Sequence, residues 1–74
     1  MNKNKISQGV VRRVPADMQK ILTYTPAILA VWEDITPLAR NEWIYWIKSA
    51  KQEEARNRRM RIMSENLVVG KRRP

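Results

Sequence analysis

From Ala39 to Ala50 the chain runs without proline or glycine, and Ala39, Trp43, Trp46, Ile47 and Ala50 recur three or four positions apart. A period near 3.6 gathers these residues on one side of an α-helix but scatters them over both faces of a strand, so the segment must be helical and must bury a wide stripe. Thr36-Pro37 stands directly before it. The threonine offers a capping hydroxyl, and the proline suits the first helical turn, where its missing N–H would have no partner anyway. With the widest stripe in the chain, this helix is expected to be the central one.

The same punctuation appears upstream in Thr25-Pro26, after which Ile28, Val31, Trp32 and Ile35 fall at i, i+3, i+4 and i+7. A shorter helix after Pro15 carries Met18, Ile21 and Leu22, with Asp17 near the positive end of its dipole. A fourth helix is predicted to start near Gln52 or Glu53, where two acids adjoin, and to run to about Val69 before Gly70 stops it. Met60, Met63 and Leu67 form its apolar seam, with Ile62 and Val69 off that line. No segment alternates apolar and polar residues long enough to propose a strand. The expected fold class is all-α: a small bundle of about four helices, two short and two longer, with short connections.

Seventy-four residues hold one domain whose single core supplies only a few kcal/mol of net stability. Cysteine and histidine are both absent. Disulfides, thiolate metal ligands, the commonest general base and the commonest zinc ligand go with them. Of the acids Asp17, Glu33, Asp34, Glu42, Glu53, Glu54 and Glu65, none has a neighbour suited to acid–base work, and Ser7, Ser49 and Ser64 lack a histidine to activate them. Two glycines are too few for a phosphate loop. The chain is therefore read as non-enzymatic, with no catalytic residue, cofactor, metal or small-molecule substrate. The longest apolar segment, Ala27 to Trp32, cannot span a bilayer, and Met1 to Gln8 has no apolar run of the kind a signal peptide needs, so a cytoplasmic location is expected.

Lysine and arginine number 15 against 7 acids, a formal net charge of +8. The excess lies at the two ends. Residues Met1 to Pro15 carry Lys3, Lys5, Arg12 and Arg13 with no acid, include Gly9, and lack apolar periodicity. Residues 1–13 are accordingly read as a flexible basic arm or linker remnant, 14–71 as the helical domain, and 72–74 as a basic tail.

The order Val14-Pro15-Ala16-Asp17, Trp32, Thr36-Pro37, Trp43, Trp46-Ile47, Ala50-Lys51, Arg56, Arg58-Arg59 and Gly70-Lys71 resembles the bacteriocin-protection, YdeI/OmpD-associated family. The densest part is an aromatic-x-x-Trp-Ile-x-x-Ala-Lys block followed by a Glu-Thr-Arg-x-Arg-Arg block, the second reading Glu54-Ala55-Arg56-Asn57-Arg58-Arg59 here. Ala55 departs from the family's usual threonine, Ile62 stands where lysine is common, and Ser64 and Asn66 stand where apolar residues are common. The resemblance implies a compact helical domain of bacterial origin with a connection to envelope stress, and structural roles for Arg56 and Arg59.

Trp32, Trp43, Trp46, Ile47 and Ala50 are read as structural core, since a marginal domain needs the burial that indole rings provide. Ile44 and Tyr45 point elsewhere on the third helix. Arg56 and Arg59 share one face of the fourth helix and Arg58 and Arg61 another, so the arginines make no single stripe. Glu53 and Glu54 are within helical reach of some of them, and arginine stems can pack over the tryptophans. Tyr45, Lys48, Arg58 and Arg61 form the candidate interaction surface, for an unidentified protein partner. The alternative is non-specific nucleic-acid binding through the basic termini and the fourth helix, unaccompanied by any helix-turn-helix, RNA-binding aromatic or zinc motif.

Overall fold

In the computed structural model, which describes residues 6–9, 12–72 and 74, the chain forms α1 (Ala16–Tyr24), α2 (Pro26–Asp34), α3 (Pro37–Lys48) and α4 (Glu53–Val68), with no strand among the described residues. The all-α expectation holds, and so do the helix positions. Thr36 caps α3 as anticipated, its hydroxyl oxygen accepting the Ala39 N–H at 3.1 Å. Thr25 makes no such side-chain bond: the Ile28 N–H turns to the Thr25 carbonyl oxygen instead, at 3.1 Å. α4 stops at Gly70, whose φ of +88° lies in the left-handed region open to glycine. There the Gly70 N–H reaches the Leu67 carbonyl and the Lys71 N–H the Asn66 carbonyl, the paired bonds of a Schellman ending.

Met18, Leu22, Trp32, Trp43, Ile44, Ile47, Met63 and Leu67 fill the core. Truncating either buried tryptophan to alanine would cost about 3–5 kcal/mol, as much as a domain of this size has to spare. The hub is α4, which packs against α1, α2 and α3. That corrects the expectation of a central α3. Part of the wide α3 face is taken up by Gln8 and Arg72, and the longer α4 presents Met60, Met63 and Leu67 to the other helices.

Three further expectations change. The buried arc of α3 runs through Ala39, Arg40, Trp43, Ile44 and Ile47, so Ile44 is fully buried and Trp46 falls at the edge, only partly covered. Along a helix of 3.6 residues per turn, that arc is centred between Trp43 and Ile44, not between the two indoles. Ala50 is buried but lies just beyond the helix end. The stretches expected to be loose are engaged where they are described: Ile6 sits in the core, and Arg72 is tied to the bundle by an ion pair and a carbonyl contact. Lys3, Lys5 and Arg73 lie outside the described residues.

Candidate interaction surface

Arg40 occupies the middle of the buried face of α3 and is only 8% exposed. A cation that deep needs acceptors to replace water. Its Nη1 donates to the carbonyl oxygens of Trp32 at 3.1 Å and Ile35 at 2.7 Å, and its Nε to that of Gln8 at 2.9 Å. The Trp32 carbonyl belongs to the last turn of α2, where helical carbonyls lack intrahelical partners and the dipole leaves partial negative charge. One side chain thus closes the end of α2, the turn into α3 and the N-terminal segment together. Sequence reading missed it. The available signal was position: Arg40 shares the apolar face of Trp43, Ile44 and Ile47 at i+3, i+4 and i+7.

The described residues of the N-terminal segment are held at several points. The Trp32 indole N–H donates to the Ser7 carbonyl at 2.8 Å, the Ser7 amide donates to the Glu33 carboxylate at 2.9 Å, and the Ser7 hydroxyl donates to the same carboxylate. Val14 N–H meets the Gln8 side-chain oxygen at 2.6 Å, and Arg12 N–H meets the Asn41 side-chain oxygen at 3.0 Å. Gly9 rests against α3 so closely that a Cβ there would lie 2.8 Å from the Asn41 Cα. Only glycine fits without a shift of backbone.

This strap delivers Arg12 to the outer face of α3. Its guanidinium carbon stands 4.7 Å from the centre of the Tyr45 ring, a cation–π arrangement, and its Nε is buried without an acceptor. Tyr45 is 56% exposed and Leu38, seven residues earlier on the same helix face, 53%. Together with Asn41, Glu42 and Trp46 they line a shallow groove of about 450 Å³.

Tyr45, Lys48, Arg58 and Arg61 are all exposed. Tyr45 and Lys48 lie one turn apart on α3, Arg58 and Arg61 one turn apart on α4, and among the described residues no hydrogen bond, ion pair or ring contact joins the two pairs. The link between these helices runs through Arg59. Its Nη1 donates to the Trp46 carbonyl at 2.7 Å and the Ser49 hydroxyl at 2.8 Å, and its guanidinium lies 5.2 Å from the Trp46 ring, which in turn meets Trp43 edge-on at 5.7 Å.

Neither Glu53 nor Glu54 pairs with Arg56 or Arg59. Arg56 instead forms a two-point ion pair with Asp17 of α1, at 2.7 and 3.1 Å. The hydrogen bonds from Arg56, aided by its charge and opposed by partial burial, hold the Asp17 carboxyl below its ordinary value. Asp34 pairs with Arg72 at 2.8 Å. Arg56, Arg59 and Arg72 are thereby engaged within the bundle. Among the described residues no three acidic side chains gather as a metal site would require, and no helix is long and apolar enough to cross a membrane.

The family model described as bacteriocin-protection, YdeI or OmpD-associated matches residues 12–70, most of the chain. No curated protein and no solved structure matches.

Proposed function

The chain belongs to the bacteriocin-protection, YdeI/OmpD-associated family, and from that premise we propose that it is a non-enzymatic, cytoplasmic interaction module that works by binding another protein in a setting linked to bacteriocin protection or envelope stress. One observation carries the reading. Leu38 and Tyr45 stand more than half exposed on one face of α3, beside a groove, while the opposite face of the helix is buried. A single exposed apolar residue is ordinary, but an aromatic and an aliphatic side chain flanking a concavity, with arginine stacked on the ring, have the composition that protein interfaces enrich. Lys48 extends the same face by one turn, and Arg58 and Arg61 add exposed charge on α4.

Immobilised protein carrying Tyr45→Ser, Lys48→Glu, Arg58→Glu and Arg61→Glu tests the reading against the unaltered chain in native cell extract at low and physiological salt. A protein captured at both salts by the unaltered chain and lost by the variant is the expected result. Equal capture by both chains overturns it, as does recovery of nucleic acid alone that elutes when salt is raised.

A further inference from the structure

Arg12 presents an incomplete electrostatic arrangement. Its guanidinium lies over Tyr45 at the rim of the α3 groove, its Nε has no acceptor, and among the described residues it has no ion-pair partner. That Nε is enclosed, but neither Nη is both buried and unpaired, so a partner's anion meets the charge at the Nη groups. Carboxylates match guanidinium geometry better than any other common anion in proteins. Beside this cation the groove offers the apolar surfaces of Leu38, Tyr45 and Trp46.

We infer that the groove between Leu38 and Tyr45 binds a short peptide segment of a partner protein in which an acidic side chain, directed at Arg12, adjoins a large apolar one packed on Leu38 and Tyr45. The inference rests on the protein-binding reading above and names the chemistry of the occupant. Charge selects a separate chain over a second copy, because a molecule of net charge +8 repels itself and attracts an acidic partner. The lining selects peptide over nucleic acid. The apolar surfaces of Leu38, Tyr45 and Trp46 suit a packed side chain, whereas a phosphate backbone offers them nothing to bury.

The test is nitrogen–proton chemical-shift mapping on the full chain with three probes: a synthetic octapeptide alternating aspartate with leucine and phenylalanine, the same peptide with asparagine for aspartate, and an oligothymidylate of equal length. The acidic peptide is expected to shift the amides from Leu38 to Tyr45 and the Trp46 indole N–H. The asparagine peptide should bind about tenfold more weakly, the loss expected for a charge-assisted hydrogen bond. Arg12→Gln should weaken the acidic peptide by a similar factor. Leu38→Ser should weaken it too, and that side chain takes no part in the strap, so a loosened N-terminal segment cannot account for the result. Equal binding of the two peptides overturns the inference, and so do shifts confined to Arg58, Arg61 or the end of α4. Those outcomes leave the broader protein-binding reading standing if extract capture still depends on its four residues. Tighter binding of the oligothymidylate overturns both.

Discussion

Arg40 Nη1 donates to the Ile35 carbonyl oxygen across 2.7 Å, bridging the turn between α2 and α3 from inside the bundle. With Trp32 and Gln8 supplying further carbonyls, the cation is stabilised by backbone dipoles that belong to three different parts of the chain. Arg40→Met should therefore cost about 2–4 kcal/mol, because it leaves those carbonyls buried with fewer donors. Arg40→Lys should recover only part of the loss, since an ammonium keeps the charge but not the planar fork. Urea denaturation followed by tryptophan fluorescence measures both, and a neutral Arg40→Met would remove the keystone role.

Gly9 is the point where the strap touches α3 most closely. Gly9→Ala should force the strap or the helix backbone to shift, at a cost of about 1–3 kcal/mol for an overpacked contact. The damage should be local, seen as faster hydrogen exchange at the Ser7 and Arg12 amides and faster tryptic cleavage near Arg12 and Arg13. Unchanged exchange at both amides would show that the strap is not seated there.

The Asp17–Arg56 pair carries a pH dependence of defined sign. Its carboxyl is lowered in the folded state from the ordinary value of 3.8, so its contribution is present above that value and is lost as pH falls toward the lowered one. The pair is partly solvated, with Asp17 44% and Arg56 25% exposed in their side chains, which limits its worth to about 1 kcal/mol. Asp17→Asn should lower stability at neutral pH by about that amount and flatten the acid limb of the stability curve below pH ~4. Parallel acid limbs in variant and parent would contradict this.

Trp43→Phe keeps a large ring in the core but removes the indole N–H that reaches the Arg72 carbonyl at 2.8 Å. A cost of about 1–2 kcal/mol is expected, with carboxy-terminal proteolysis accelerated while cleavage near Arg12 stays unchanged. Trp32→Phe should give the mirror result, loosening the N-terminal strap through loss of its bond to Ser7.

Leu38→Ser should change stability by less than about 0.5 kcal/mol, as surface substitutions do, and Tyr45→Ser by no more than about 1 kcal/mol, the worth of its exposed contact with Arg12. Ile44→Ala, on the buried side of the same helix, should cost about 2–5 kcal/mol. Thermal melts of the three variants check the contrast, and a large loss from either serine variant would mean that the exposed face is structural.

Helix positions were legible because their signals are local. Proline after threonine, spacing of three and four, and a glycine after the last apolar position act within a turn or two of chain, and they located α2, α3 and the end of α4. The α3 face was read one step off. Two tryptophans drew the predicted stripe toward Trp46, while the burial arc included Ile44 and enclosed Arg40, a residue whose charge argued for solvent until carbonyls from elsewhere surrounded it. The surface was partly legible: Tyr45, Lys48, Arg58 and Arg61 are exposed, but the groove beside Tyr45 is completed by Leu38 and by Arg12 from a segment expected to be loose.

The sequence by itself determined that this protein is helical, in what order its helices lie, and that most of their apolar positions had to seek burial, since dihedral preferences and apolar periodicity are written in neighbours. Tertiary structure alone decided that α4 is the hub, that Asp17 finds Arg56 across 39 positions, and that Ile6 and Arg72 pack onto the bundle. The physical reason is that a charge or an unpaired carbonyl takes whichever partner folding brings within about 3 Å, and spacing along the chain does not encode that encounter.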